Sequence, residues 1–454
     1  MKRYLSVLMA IALLLTLGGC AGTSPASQPA VGSAAASGTQ PELQEEPLTL
    51  SFATSLYVEE SHQVVIDKLL ERYKEVAPNV TIEIYGAGYA DYWNNVTVEI
   101  MAGNEADIMQ MYPENVVAFN SLRDGGVFVD MGPYLEGTGL EEKLIGQDAC
   151  VFDGATLALA SYAYGTTGIY YRKSMLEQAG VDPADIRTWE DFKAASAAVT
   201  HDQQYAMGIL TSSHSFVVSE WVRQLARIPS GGVYFPDGES GPYTAERINV
   251  NSDAVKWAAQ EWQDYLLVDK YGKPAADKKD SREYFWHGIC AFNHDGPWFV
   301  GMTQASYPEL MEDIGLIAIP NVVYEGKTYK ANPWHYPVVC SVSKNCENVD
   351  AAMDFLFWMS GTEAQRIIAD CGSIPTNREY SGSEEYTDAY PLNSMFTAFM
   401  EERYESCVSD PPIPQLQALE QVMIDATQAM FAAGSNVNTT LDEAAGACRE
   451  IMEQ

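Results

Sequence analysis

From Leu48 onward the chain switches between short apolar runs and amphipathic stretches, and this alternation restricts the fold more than any other feature. LTLSFAT (48–54) reads as a buried strand. HQVVIDKLLERYKEV (62–76) places Val65, Leu69 and Val76 with Ile66, Leu70 and Tyr73 on one helical face, and Pro78 ends it. VTIEI (80–84) is a second strand. A helix follows from about Asp91, its expected N-cap, to Met101, with Gly103 just past its end, and ADIMQM (106–111) is a third strand. This β-α-β-α-β order predicts an α/β fold with a mostly parallel sheet covered by helices.

The same punctuation continues downstream. TTGIYYRKSMLEQAG (166–180) reads as a strand turning into a short helix that stops at Gly180, and Thr188 and Asp191 in TWEDF stand at capping-box spacing. YAMGIL (205–210), GICAF (288–292), IGLIAIP (314–320) and PVVCSVSK (337–344) read as strands, with helices near 215–227, 252–267 and 297–306. Residues 348–372 form two helices broken at Gly361, and the tail from Pro414 is helical. A chain of 454 residues exceeds what one core supports, so two lobes are expected.

The first 19 residues have Lys2 and Arg3, an apolar run from about Leu5 to Leu17 and small residues before Cys20, the pattern of a secretory signal peptide. The run is shorter than the roughly 20 residues of a membrane span. LGGC resembles the lipobox of bacterial lipoproteins, in which Cys20 becomes the lipid-carrying N-terminus of the mature chain. Residues 20–47 then form a lipidated tether of Ala, Ser, Gly, Pro and Gln that cannot bury enough surface to fold. Its random-coil reach is ~30 Å. The expected location is extracytoplasmic, lipid-anchored to a bacterial cell membrane.

Without Lys2 and Arg3 the basic count falls from 27 to 25 against 62 acidic residues, a balance of −37 that repels nucleic acid and anionic lipid. Beyond Cys20 there are seven cysteines, at 150, 290, 340, 346, 371, 407 and 448. An odd number leaves at least one without an internal partner, and Cys346 and Cys371 are either bridged or buried as free thiols. Neither C-x-x-C, G-x-S-x-G nor H-E-x-x-H occurs. EGKT (325–328) fails as a P-loop because Asn321 stands where its first Gly belongs, and GAGYAD has Asp91 at the third Gly of a dinucleotide fingerprint. His287 and His294 do not have a known metal-ligand spacing. No enzyme, cofactor or metal is expected, and the protein is expected to be a monomer.

Four stretches in order, 106–131, 168–195, 291–301 and 351–377, make the chain resemble the family 1 extracellular solute-binding lipoproteins, similar in organisation to maltose-binding protein. Arg172 departs from the Asn or Asp usual after the Tyr of the second stretch. The resemblance implies a periplasmic-binding-protein-like fold, with one lobe from 48–160 and 326–375 and the other from 161–325 and 376–454. Crossings fall near 160–164, 321–336 and 374–380. It implies a receptor of an ABC importer that carries a carbohydrate, expected to be an oligosaccharide, to membrane permease subunits. A surface-anchored carbohydrate-active hydrolase and a solute sensor or adhesin of the same fold are the alternatives. Sugars show C–H faces and hydroxyl edges, so a receptor needs flat aromatic rings among polar groups. Loops at the carboxyl ends of strands offer Thr54, Ser55, Tyr57, Tyr112, Glu114, Asn115, Tyr162, Tyr164, Ser213, His214, Asp295, Trp298, Trp334, His335 and Tyr336. About a third of these are expected to be packing residues.

Overall fold

The structure, a computed structural model, describes residues 46–212, 216–331, 336–403 and 410–453. The signal segment, Cys20, Ser213, His214, Trp334, His335 and Cys407 lie outside the described residues.

The strands used below are β1 (Leu48–Thr54), β2 (Val80–Gly86), β3 (Ile108–Met111), β4 (Leu159–Gly165), β5 (Gly168–Arg172), β6 (Tyr205–Leu210), β7 (Gly272–Ala275), β8 (Cys290–Asp295), β9 (Ile314–Ile317), β10 (Tyr336–Val342) and β11 (Ile374–Pro375). They form a six-stranded sheet in the order β11-β4-β10-β3-β1-β2 and a five-stranded sheet in the order β9-β5-β8-β6-β7. The expected parallel unit is the heart of each: β1 runs parallel to β2 and β3, and β6 runs parallel to β7 and β8. The remaining pairings are antiparallel, between β10 and both β3 and β4, β11 and β4, and β5 and both β8 and β9. The sheets are therefore mixed rather than mostly parallel. The cause is chain routing: β5 and β10 each enter from the other sheet, and a strand that arrives without a crossover helix is free to run antiparallel.

The helices that position the site are α1 (Glu60–Val76), α2 (Tyr89–Ala102), α3 (Pro113–Asn120), α4 (Lys173–Ala179), α5 (Trp189–Val199), α6 (Phe216–Trp221), α7 (Asp253–Gln263), α8 (Lys278–Trp286), α9 (Trp298–Ser306), α10 (Val349–Met359), α11 (Thr362–Ala369), α12 (Pro391–Arg403), α13 (Leu416–Phe431) and α14 (Val437–Met452). Helix α2 is capped by Gly88, ahead of the expected Asp91, which instead lies in the first turn where a carboxylate favours the helix dipole. Gly103 closes α2 at φ 71° and Gly180 closes α4 at φ 67°, conformations that cost glycine least. Thr188 and Asp191 form the reciprocal capping box at the start of α5. Arg172, the departure noted in the sequence, ties the end of β5 to Asp313 at 2.6 Å and to the carbonyl of Phe285 near the end of α8 at 3.1 Å.

Each sheet has its own core. One gathers Phe52, Ile108, Met111, Val339 and Leu356 around the first sheet. The other gathers Trp189, Phe192, Ile209, Trp262 and Phe292 with the last two helices around the second. A smaller cluster joins Tyr164 and Ile374 of the first sheet to Tyr170, Ile314 and Leu316 of the second, beneath Phe396 and Met400 of α12. Cys346 and Cys371 are both buried as free thiols, so the bridged alternative is not realised.

Candidate functional site

Strand β8 ends at Asp295, and Gly296 and Pro297 turn the chain into α9, whose first residue is Trp298. The indole folds back over the turn. A Cβ added at Gly296 would lie 2.2 Å from Trp298 Cη2, so only glycine leaves room for the ring at this spot. Trp298 is half-buried and packs against the core of the first sheet although its helix follows a strand of the second. Tyr170 fixes the turn by donating from its hydroxyl to the Gly296 carbonyl at 2.9 Å, and Asn393 Nδ2 donates to the Pro297 carbonyl at 3.1 Å. One turn further on, Gly301 meets the Cys371–Gly372 backbone so closely that a Cβ there would be 2.6 Å from the Cys371 carbonyl oxygen.

Helix α8 lies over β6 and β8. Asp277 caps it by accepting from Asp280 N at 2.9 Å, and Lys278 and Arg282, four residues apart, share a face. Arg282 clasps Asp295 with two bonds, Nε to Oδ2 at 2.7 Å and Nη2 to Oδ1 at 3.1 Å. Asp295 also accepts from Gly296 N at 2.9 Å and Asn293 Nδ2 at 3.3 Å. Lys278 Nζ lies 3.0 Å from Glu220 Oε1 and donates to the His294 carbonyl, while Leu210 N donates to Glu220 Oε2 at 3.2 Å. Burial alone would raise the Asp295 carboxyl, but Arg282, then Lys278 and the Gly296 N–H, hold it well below the usual carboxylate range. At Glu220 burial wins over Lys278 and the carboxyl is pushed up. These groups surround a cavity of about 20 Å³ completed by Thr167, Gly296 and Trp298. That is room for one water-sized group. Larger concavities of about 450 and 620 Å³ lie around Phe152 and Lys344 and around Met311 and Leu392.

The carboxyl ends of β1 and β3 are neighbours, because Ala53 pairs with Met109. Gln110 Oε1 accepts there from Ser55 N at 3.1 Å, Ser55 Oγ at 2.9 Å and Thr54 Oγ1 at 3.4 Å. Thr54 and Ser55 are buried. Tyr57 is half-buried against the first core, its hydroxyl donating to Asp67 at 2.8 Å. Tyr112 precedes α3 and packs 5.7 Å from Trp93, while Glu114 and Asn115 sit half-buried in the first turn of that helix. Tyr162 bonds His62 Nδ1 at 2.9 Å, and Tyr164, inside the bridging cluster, points its hydroxyl at Met400 Sδ at 3.6 Å. Asp295 and Trp298 thus share one cavity, and Thr54, Ser55, Tyr112, Glu114 and Asn115 share the edge of the first sheet. Glu220, Lys278, Arg282 and Thr167 were not anticipated. The spacing of Lys278 and Arg282 behind an N-cap Asp is visible in DKKDSR; that their helix lies over β8 is not.

The profile described as "Bacterial extracellular solute-binding protein" matches residues 68–392. The lactose-binding protein of Rhizobium radiobacter is 27% identical over 219 residues, which are 46% of this chain and 47% of that protein, so the matched part spans about half the length of either. Maltose-bound MalE3 of T. maritima superposes with a TM-score of 0.75 at 16% identity, covering 89% of this chain and 100% of that one. The GacH receptor of Streptomyces glaucescens, solved unliganded and with acarbose, gives 0.74 at 17% identity over 90% of this chain and 100% of its own. These likenesses show the fold: two mixed sheets of the maltose-binding-protein type.

Proposed function

The chain belongs to the bacterial extracellular solute-binding proteins, and on that premise we propose that it is the lipid-anchored receptor of an ABC importer, holding a carbohydrate between two lobes. The observation that carries this reading is the Trp298 ring, held flat over Gly296 and half-buried beside a polar cavity. A ring fixed in advance loses little freedom when a sugar face stacks on it. The names of relatives with lactose, maltose and acarbose support the ligand class. Family membership puts the body outside the cytoplasm; lipid on Cys20 and a permease as the recipient are the rest of the proposal.

The proposed contacts are Trp298 with Tyr57, Tyr112, Glu114 and Asn115 from the first sheet's edge, and His214, Trp334 and His335 from the loops outside the described residues. The chain passes between the sheets at 166–167, at 318–335 and after 375. In this proposal these passages are the hinges, and ligand favours closure only through the contacts it makes to both lobes. Calorimetric titration of the purified protein with lactose, maltose and mannitol, followed by product analysis, tests it. Saturable binding with the sugar returned unchanged is expected; hydrolysed sugar, or no binding to any carbohydrate in a wider panel, overturns it. Loss of radiolabelled fatty acid in Cys20→Ser is the expected result for the anchor, and unchanged labelling refutes it.

A further inference from the structure

The short link between β4 and β5 carries Thr166 and Thr167, both buried. Antiparallel pairing sets Asp295 opposite Gly168, which places Thr167 one step on, opposite Gly296. Thr167 lines the same cavity as Trp298, with 5% of its surface exposed. Its Oγ1 has no hydrogen-bond partner among the described residues. A buried hydroxyl without a partner carries a desolvation cost that native structures ordinarily avoid. The cavity that Thr167 lines has room for one more polar group.

We propose that Thr167 is a ligand-contacting, specificity-determining residue whose hydroxyl bonds one neutral hydroxyl of the solute while the adjoining ring of that solute stacks on Trp298. The inference rests on the carbohydrate reading and narrows it. The charges around the cavity come in balanced pairs, Lys278 with Glu220 and Arg282 with Asp295. A carboxylate entering here would meet two buried carboxylates whose cations are already engaged. A neutral hydroxyl meets no such repulsion, so the site selects neutral sugars and polyols over uronic acids.

Wild type, Thr167→Val and Thr167→Ser are compared by calorimetry against lactose, maltose, mannitol and glucuronate, and by ligand-free thermal melts. Valine keeps the shape and removes the hydroxyl. The expected result is a loss of about tenfold or more in affinity for whichever neutral probe wild type binds, the size of one lost buried hydrogen bond. Serine should restore most of it. The ligand-free melting temperature of Thr167→Val should equal or exceed that of wild type, because the removed hydroxyl has no partner to lose among the described residues. Unchanged affinity in the valine variant, a melting temperature several degrees lower, or tighter binding of glucuronate than of the neutral probes overturns the inference. If wild type binds neither these probes nor any carbohydrate of the wider panel, the carbohydrate reading falls by itself. The melts then decide the remaining point: no loss of stability in the valine variant supports a hydroxyl kept for a ligand, and a loss overturns it.

Discussion

At the end of β1, a backbone N–H and two hydroxyls converge on one neutral atom, Gln110 Oε1. At the end of β8, two buried carboxylates converge instead on Arg282 and Lys278. Both arrangements hold a strand end that faces the proposed ligand, yet they differ in what failure costs. A neutral bond contributes about 0.5–1.5 kcal/mol net and tolerates adjustment. A buried ion pair gains little on balance but is severe to break, because the abandoned charge remains desolvated. The β8 edge is therefore fixed in one geometry, which suits a turn that, in the proposed function, presents an indole in a set position. The β1 edge is held more gently.

The sharpest way to break this contrast is Asp295→Ala. It removes the carboxylate that accepts two bonds from the part-buried Arg282 guanidinium, and a stability loss of ~3–5 kcal/mol in denaturant titration is expected. A loss below about 1 kcal/mol would mean that the charged edge is no more rigid than the neutral one. Next comes Trp298→Ala, for which an affinity loss of ~1–3 kcal/mol, roughly ten- to a hundred-fold, is expected by calorimetry, borrowing the scale of base–aromatic stacking. Because the ring is only half-buried, the accompanying loss of stability should fall short of the ~3–5 kcal/mol of a fully buried aromatic. A large drop in melting temperature with affinity preserved would make the indole a packing residue. Gln110→Leu should cost ~1–3 kcal/mol by leaving Ser55 N–H unsatisfied, and a cost matching Asp295→Ala would erase the distinction between the edges.

The smallest effect concerns pH. Asp295 has its carboxyl depressed in the folded state, so its contribution is fully present above the unfolded value, ~3.9, and is lost as pH falls from there through the folded value. The stability gap between wild type and Asp295→Ala should stay flat from pH 7 to about 5 and narrow only in stronger acid. A gap that narrows already near pH 6 would contradict the clasp by Arg282.

Local features were legible in the sequence. Gly103, Gly180 and the Thr188–Asp191 box mark their helix ends through bonds made within a few residues, and the strand at 48–54 has the expected bounds. Asp91 misled because an acidic residue suits both the N-cap and the first turn, and only the backbone at Gly88 decides between them. Strand direction was illegible for a different reason: whether β10 runs with or against β3 depends on a chain that returns from the other sheet more than 200 residues later. The cavity is illegible in the same way. Glu220, Lys278, Asp295 and Thr167 come from four separate elements, and nothing in the spacing of one announces the others.

The contact between Gly301 and Gly372 also has a practical use. One of these residues hangs from the helix after β8 and the other from the turn after α11, and their backbones touch with no side chain between them. Gln304 and Asp370 flank the contact at the surface and line the same groove, and Asp370 gives up an exposed ion pair to Lys68, worth little, and a bond accepted from the Tyr390 hydroxyl at 2.7 Å. Under the proposed closure, paired spin or fluorescent labels at 304 and 370 would turn this seam into a molecular ruler, one that reports ligand occupancy as a change in distance without any label entering the proposed cleft.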